Sequence, residues 1–160
     1  MKKIIIIGCP GAGKSYFSKK LHIKLGIPLY HLDLIWHKSD KTHVSREQFD
    51  ETLSHIFEED SWIMDGDFPR TLEMRMQACD TVFFFDLPYE ACMQAIKARE
   101  GIKREDMPWE AAEADEALLN EVKHYSSSQR PIIYALIENY KAEKEFIVFK
   151  TRQEADDWFG

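Results

Sequence analysis

The feature that most constrains how this 160-residue chain can fold lies within its first fifteen residues. The run Lys3–Ile7, mostly isoleucine, leads directly into Gly8–Ser15, whose letters GCPGAGKS fit the pattern G-x-x-x-x-G-K-[ST] without departure. A continuous apolar run is typical of a strand covered on both faces by helices. From Lys14 to about Leu25, apolar residues recur at four-residue spacing and Gly26 follows, which predicts a helix. The chain is therefore expected to begin with a strand, a glycine-rich turn and a helix.

The chemistry of this turn follows from its residue types. Glycines allow the backbone to curl so that successive N–H groups form a nest for an anion, and the next helix adds its positive N-terminal end. The Lys14 ammonium suits the β- and γ-phosphates of a nucleoside triphosphate, and the Ser15 hydroxyl suits Mg²⁺. We predict that the turn binds ATP or GTP with Mg²⁺; a plain structural turn is the alternative. The predicted nucleotide-binding residues are Gly8, Pro10, Gly11, Ala12, Gly13, Lys14, Ser15 and Tyr16.

The rest of the chain alternates between strand and helix patterns. Further strands are predicted at Pro28–Leu32, Ser61–Asp65, Thr81–Asp86 and Glu145–Lys150. Helices are predicted after a capping-box signal at Ser45 and Gln48, over Thr71–Ala78, from Pro88 to Arg99, over Glu110–Tyr125, from Pro131, and after Thr151. Such alternation predicts an α/β fold with a mainly parallel sheet of about five strands. The length and the lack of a linker predict a single domain, 1–160.

Composition and charge exclude several classes of function. The chain has 28 acidic and 21 basic residues, a net charge of −7, which argues against sequence-independent nucleic-acid binding because that requires a basic face. The cysteines Cys9, Cys79 and Cys92 show no metal-binding spacing and fit a reducing compartment. No stretch is long and apolar enough for a signal peptide or membrane helix. We expect a soluble, cytoplasmic protein without membrane contact, and its oligomeric state stays open.

Two later segments carry a resemblance to a known family. The stretches WIMDGDFPRT (62–71) and TVFFFDLPYEACMQAIKARE (81–100) resemble nucleoside monophosphate kinases such as adenylate kinases, in which a strand ends in Asp-Gly, Phe-Pro-Arg follows, and the next strand ends in Phe-Asp-x-Pro. The whole chain is still more similar to a bacterial branch described as adenylate kinase-related or DNA topology modulation proteins. In that branch HLDxIxW, WIxDG and RxDMP recur, and they match 31–36, 62–66 and 104–108 here.

The resemblance implies a fold, a reaction and a set of site residues. The implied fold is the three-layer sandwich of P-loop NTPases, with an acceptor-binding segment at about 31–60 and a short lid at about 100–110. The implied reaction is ATP- and Mg²⁺-dependent phosphoryl transfer. Position by position, it assigns the Mg²⁺ shell to Asp65, the acceptor site to Gly66 and Arg70, the transferred phosphoryl group to Arg99, and the first lid cation to Arg104. Without the resemblance, Asp65 could be a turn residue and each arginine a solvated charge.

The chain also departs from the family pattern. Ala95 stands where adenylate kinases have an arginine that stacks on adenine. Their second lid arginine has no clear counterpart after Arg104, since the following helix is acidic, and Arg130 is the only late candidate. These departures leave open which nucleobase the chain prefers and how active a catalyst it is.

The acceptor side contains Asp33 and Trp36. A nucleoside monophosphate attacks with an ionised oxygen and needs no base, whereas a hydroxyl acceptor needs its proton oriented or removed, which a fixed Asp33 can do. Asp33 therefore favours a hydroxyl acceptor and Arg70 an anionic group; one substrate with both groups would satisfy both. Asp33 can also be a helix cap, and Trp36 can be either a wall for a ring or a core residue. The spacing of His31, His37 and His43 does not favour a metal site.

Three functions are compatible with these residues. The first is a P-loop kinase that uses a nucleoside triphosphate donor and a small-molecule or nucleotide acceptor. The second is a nucleotide-binding regulator with little turnover, related to DNA topology modulation. The third is a simple NTPase, for which Asp33 and Arg70 would have no use at the acceptor side.

Overall fold

The computed structural model describes residues 1–98 and 116–160. Its strands are β1 (Lys3–Gly8), β2 (Leu29–His31), β3 (Trp62–Asp65), β4 (Thr81–Phe85) and β5 (Glu145–Phe149). The helices of this described part are α1 (Lys14–Leu25), α2 (Leu32–Trp36), α3 (Arg46–Phe57), α4 (Pro69–Ala78), α5 (Tyr89–Ala98), α6 (Glu116–His124), α7 (Gln129–Tyr140) and α8 (Arg152–Asp157). The expected α/β alternation is confirmed.

The five strands form one parallel sheet in the order β2-β3-β1-β4-β5. The central strand β1 pairs with β3 on one side and β4 on the other, so that Ile6 lies opposite both Asp65 and Phe83. The strand order reverses direction at β1, and ligands of parallel α/β sheets bind beside the carboxyl ends of the strands at such a reversal. Gly8, the last residue of β1, lies at this point.

The central strands are covered on both faces. Successive side chains of a strand point to opposite faces, and the side chains of Ile4 to Ile7 have no exposed surface, so helices must cover the sheet on both sides. One part of the core is a cluster of aromatic rings around Phe17, which contacts Phe83, Phe85, Phe149 and Trp158 with ring centroids 4.9–5.8 Å apart. The result is the helix–sheet–helix sandwich expected from the sequence.

Most predicted boundaries agree with the structure. The capping box before α3 is confirmed, since the Gln48 N–H donates to Ser45 Oγ at 3.1 Å and the Ser45 N–H donates to Gln48 Oε1 at 3.1 Å. The expected start of a helix at Pro131 is wrong, because α7 begins two residues earlier, at Gln129. Proline is tolerated there because the first N–H groups of a helix lack partners within it. The lid segment at about 100–110 and the first part of the acidic helix lie outside the described residues.

Two further features bear on the expected cellular compartment of the protein. Cys9, Cys79 and Cys92 are buried and not joined by a disulfide. None of the helices in 1–98 and 116–160 has the length and apolar character that crossing a lipid bilayer requires.

Candidate functional site

The loop between β1 and α1 is tightly packed against neighbouring backbone. Gly8 has φ 150° and Gly11 has φ 83°, both in the region that favours glycine. A Cβ on Gly8 would lie 2.6 Å from the carbonyl oxygen of Phe85, and one on Gly11 would lie 2.5 Å from that of Cys92. The glycines are therefore required by close packing against β4 and α5. Gly13, which precedes α1, has no side chain with which to cap the helix.

Lys14 is folded back over the same loop. Its Nζ donates hydrogen bonds to the carbonyl oxygens of Gly8, at 2.6 Å, and Cys9, at 3.1 Å. Ser15 follows at the start of α1, and both side chains line a cavity of about 290 Å³. Lys14 is the only basic residue of this loop, and its ammonium group is thus held against the loop by backbone carbonyl oxygens.

Asp65 ends β3 on the other side of β1 and is 5% exposed. Its Oδ2 accepts a hydrogen bond from Ser18 Oγ at 2.6 Å and lies 2.8 Å from Nδ1 of His31. The contact with His31 follows from the register, since His31 at the end of β2 lies opposite Asp65. Sequence reasoning considered His31 only as a metal ligand and missed this pairing; the adjacency of β2 and β3 is the signal that could have revealed it.

Ser15 and Asp65 line the same cavity, and their oxygen atoms suit Mg²⁺. Of the residues described, no three His, Cys, Asp or Glu side chains form a group that could hold a metal ion by themselves. Magnesium is usually held by one or two carboxylates or hydroxyls together with water and substrate phosphates. The donor set therefore fits Mg²⁺ that arrives with a nucleotide.

The loop after β3 is fixed by a fully buried arginine. Arg75 of α4 donates to the carbonyl oxygens of Gly66, at 3.0 Å, Asp67, and Phe68, at 3.3 Å, and to Thr71 Oγ1 at 3.2 Å. Burial lowers the pKa of Arg75 to about 10, so it remains protonated at neutral pH. Phe68 is held at φ 40°, a strained value for a non-glycine residue.

The loop after β3 also contacts the glycine-rich loop. Asp67 Oδ1 accepts a hydrogen bond from the backbone N–H of Gly8 at 2.8 Å. Burial, together with the neighbouring Asp67 carboxylate, raises the pKa of Tyr125, which follows α6. Sequence reasoning missed both Asp67 and Arg75. The available signal was a charged residue, Arg75, three positions after Leu72 on the buried face of α4.

The cavity extends from the loop to α2 and across to α6. Pro10, Gly11, Lys14 and Ser15 line one end. Asp33, Trp36 and His37 line the other end. The remaining lining residues are Asp65, Gly66, Asp67, Phe68, Pro69, Ile96, Leu118 and Glu121. The structure therefore brings together four of the eight predicted nucleotide-binding residues with Asp33, Trp36, Asp65 and Gly66 from the predicted site. Tyr16 lies apart from them, 66% exposed, beside a smaller cavity of about 100 Å³ between α1 and α8.

The residues of α2 are held by local contacts. Asp33 Oδ1 lies 3.7 Å from Nε2 of His37, one helical turn later. Burial, with the nearby imidazole of His43, lowers the pKa of His37. The Trp36 ring stacks on His43 with centroids 4.4 Å apart and meets Phe49 edge-on. Trp36 thus combines the two alternatives considered for it, since it packs on the core and also faces the cavity.

The predicted arginines are distributed differently. Arg70 is 42% exposed and donates from both Nη atoms to the two carboxylate oxygens of Asp50 in α3, at 2.8 and 3.0 Å. Arg70 is not among the residues that line the cavity. Arg99 and Arg104 lie outside the described residues, as does any contact they make.

Arg130 belongs to a separate charged cluster at the ends of β4 and β5. Its Nε donates to Asp86 Oδ1 at 2.8 Å, while Tyr134 and Lys150 both donate to Asp86 Oδ2 at 2.5 Å. These hydrogen bonds outweigh the effect of burial and lower the pKa of Asp86 to about 2. Arg130 is therefore engaged with a carboxylate at the sheet edge.

These features define a parallel α/β protein with a glycine-rich loop and a carboxylate-lined cavity at the reversal point of its sheet. Comparison of the sequence with protein-family models finds no match, and a search of curated proteins finds none either. The function must accordingly be argued from the residues of the cavity.

Proposed function

We propose that this chain is a P-loop phosphotransferase, similar to nucleoside monophosphate kinases, that uses ATP or GTP with Mg²⁺ to phosphorylate a small-molecule or nucleotide acceptor. The observation that carries the proposal is one continuous cavity that joins Lys14 and Ser15 to Asp33. A protein that only hydrolyses a nucleoside triphosphate needs the first end of this cavity and not the second. Two ends at one sheet edge are what transfer between two substrates requires.

At one end of the cavity, the chain's own residues bind the nucleotide and its Mg²⁺. The loop N–H groups and the start of α1 bind the phosphates, and Lys14 exchanges its bonds to the Gly8 and Cys9 carbonyls for the β- and γ-phosphates. Ser15 and Asp65 would hold Mg²⁺, and a bound Mg²⁺ would supply positive charge against the phosphate oxygens. His31 and Ser18 fix the Asp65 carboxylate for this task.

The remaining predicted roles are part of the same proposal. We assign stabilisation of the transferred phosphoryl group to Arg99 and Arg104, and exclusion of water to the lid at about 100–110. Arg70 would have to leave Asp50 before it could bind an anionic group on the acceptor. Each of these roles remains a prediction.

Calorimetry of nucleotide binding tests the proposal directly. The wild-type chain should bind ATP or GTP in the presence of Mg²⁺, and Lys14→Ala should weaken that binding by at least tenfold. Lys19→Ala, an exposed position on the same helix, is the matched control and should bind as the wild type does. Absence of heat with both nucleotides, or a Lys14→Ala variant with unchanged affinity, would refute a phosphate-binding role for the loop.

A second candidate is a nucleotide-binding regulator with little turnover, of the kind suggested by the DNA topology modulation branch. The feature that favours it is in the sequence: the acidic stretch after Arg104 offers no clear counterpart of the second lid arginine of adenylate kinases. The net charge of −7 opposes direct contact with DNA. Measuring DNA binding over a salt series separates the two, since phosphate contacts give a steep salt dependence. No binding at low salt would exclude a regulator that acts on DNA directly.

A further inference from the structure

Tyr125 is a buried tyrosine whose hydroxyl lacks a hydrogen-bond partner. It directly follows helix α6, and only 4% of its surface is exposed. Among the residues that the structure describes, no group bonds to Tyr125 Oη. Folded proteins satisfy most of their buried polar atoms, because an unpaired buried hydroxyl loses the hydrogen bonds that water would supply. The exception at Tyr125 therefore asks for a physical reason.

Asp67 offers an acceptor oxygen that is also unpaired. Its Oδ1 accepts a hydrogen bond from the Gly8 N–H at 2.8 Å, whereas its Oδ2 is buried and has no partner in the described part of the chain. The two side chains are neighbours: burial raises the pKa of Tyr125, and the adjacent Asp67 carboxylate raises that pKa further. A donor without an acceptor thus lies next to an acceptor without a donor.

Tyr125 lies on the face of α6 that turns toward the cavity. Leu118 and Glu121 line the cavity, and Val122 is buried. With Tyr125 they are spaced i, i+3, i+4 and i+7, which places them on one side of a helix. The N–H of Tyr125 donates to the Val122 carbonyl oxygen at 3.4 Å, so Tyr125 continues the last turn of α6. The position of its hydroxyl is therefore tied to the position of this helix.

Gly8 is held on both sides of its own backbone. Its carbonyl oxygen accepts a hydrogen bond from Lys14 Nζ at 2.6 Å, and its N–H donates to Asp67. In the proposed function, Lys14 gives up the Gly8 carbonyl for the phosphates of the nucleotide. The bond to Asp67 then matters more for the position of Gly8. A second hydrogen bond on Asp67, at the oxygen that Gly8 does not use, would fix the orientation of this carboxylate.

We infer that Tyr125 is a positioning residue for nucleotide binding, and that its hydroxyl donates a hydrogen bond to Asp67 Oδ2 when the nucleotide is bound. This inference rests on the proposed phosphotransferase function. One carboxylate then holds the Gly8 N–H with Oδ1 and the end of α6 with Oδ2. The affinity for the nucleotide therefore includes the pairing of two buried polar atoms, and it depends on where α6 lies.

Tyr125→Phe tests this inference on the full chain, because it keeps the buried ring and removes only the hydroxyl. In calorimetry we expect the Kd for MgATP to rise about tenfold, since hydrogen bonds to charged groups are among the stronger ones. The midpoint of urea unfolding without nucleotide should equal or exceed that of the wild type, because no bond of the hydroxyl is lost.

Tyr140→Phe is the matched control. The Tyr140 hydroxyl accepts a hydrogen bond from Gln77 Nε2 at 3.3 Å, and Tyr140 is not among the residues that line the cavity. This variant should bind MgATP as the wild type does.

A double-mutant cycle tests whether the hydroxyl acts through Asp67. Asp67→Ala removes the acceptor, so the further removal of the hydroxyl should cost nothing more. We expect the double variant Asp67→Ala/Tyr125→Phe to bind MgATP within twofold of Asp67→Ala alone. Additive losses in the two single variants would mean that the Tyr125 hydroxyl acts on another group, and would overturn the inference.

The Gly8 amide gives a spectroscopic readout. Ile7 and Gly8 form the only Ile-Gly pair in the chain, so labelling isoleucine carbonyls with ¹³C and glycine nitrogens with ¹⁵N selects one amide signal in NMR. With saturating MgATP, this signal should differ between Tyr125→Phe and the wild type. Without nucleotide, it should be the same in both. Coincident signals with MgATP would overturn the inference.

The remaining outcomes separate this inference from the proposed function. MgATP affinity of Tyr125→Phe within twofold of the wild type would overturn the inference and leave the donor site intact. A weaker affinity accompanied by a lower urea midpoint would also overturn it, because the hydroxyl would then support the fold itself. A wild-type chain that binds no MgATP would instead remove the proposed function.

Discussion

The carboxylate of Asp67 accepts a hydrogen bond from the backbone N–H of Gly8, with 2.8 Å between Oδ1 and N. Gly8 is the first residue of the glycine-rich loop, and Asp67 lies in the loop that follows the neighbouring strand β3. The bond joins two loops that both contribute residues to the lining of the cavity. Asp67 therefore has the geometry of a positioning residue for the glycine-rich loop.

We predict that Asp67→Ala weakens MgATP binding by about tenfold, because a hydrogen bond that involves a charged group contributes about 1.5–3 kcal/mol and its loss frees the start of the loop. Asp67→Asn keeps an acceptor oxygen for the Gly8 N–H and should lose less affinity than the alanine variant. Calorimetric titration of both variants measures the difference. Equal affinity of Asp67→Ala and wild type would show that the loop holds its shape without this bond.

Arg75 gives a prediction about stability. Replacement by methionine removes the hydrogen bonds that Arg75 donates to the carbonyl oxygens of Gly66 and Asp67, and unsatisfied buried groups cost about 1–3 kcal/mol each. We expect Arg75→Met to lower the free energy of unfolding by about 3 kcal/mol or more in urea titrations. The exposed Arg46→Met serves as the control and should change stability by about 0.5 kcal/mol at most. A loss for Arg75→Met as small as that control would contradict the assigned role.

Asp67 and Arg75 were not predicted from the sequence, whereas the glycine-rich loop Gly8–Ser15 was. The first strand, the glycine-rich turn and the first helix were predictable because their residues are contiguous. The position of Asp65 beside this turn was predictable because the carboxyl ends of parallel strands meet at one edge. Both inferences need only local patterns and a general rule of sheet topology.

Asp67, Arg75 and the pairing of His31 with Asp65 depend on information that local patterns do not contain. The contact of Asp67 with Gly8 requires β3 to lie beside β1, and the pairing of His31 with Asp65 requires the β2–β3 register. The sequence shows Arg75 as a charged residue on the buried face of a helix. It does not show the partners of Arg75, which lie seven to nine residues earlier in a loop where Phe68 has a positive φ. The partner of Arg70, Asp50, likewise depends on how α3 packs against α4.

The cluster around Asp86 predicts a pH dependence of stability. Its pKa in the folded chain is about 2, below the ordinary value of 3.8, because Arg130, Lys150 and Tyr134 donate to it. A lowered carboxyl pKa contributes stability that is present above about pH 4 and is lost as the pH falls toward 2. Urea unfolding at pH 5 and pH 3 should therefore show a smaller decline for Asp86→Asn than for wild type.

We expect the difference in that decline to be on the order of 1 kcal/mol, since the exposed cations are partly screened by solvent. Asp156→Asn, at an exposed position on α8, is the control and should decline as the wild type does. Parallel curves for Asp86→Asn and wild type would show that the cluster does not favour the ionised carboxylate in the folded chain.

A comparison of Gly11 with Gly26 separates the effect of a steric contact from the effect of a positive φ. Gly11 and Gly26 both have positive φ, 83° and 68°, but a Cβ on Gly11 would lie 2.5 Å from the Cys92 carbonyl oxygen, whereas one on Gly26 would meet nothing within 4 Å. Gly26→Ala should therefore cost only the conformational penalty of about 1–2 kcal/mol and leave MgATP affinity unchanged. Gly11→Ala should cost more and weaken MgATP binding by at least tenfold, because the loop must move away from α5. Thermal unfolding and calorimetry of the two variants give both quantities, and equal effects of the two substitutions would mean that contact with Cys92 does not shape the loop.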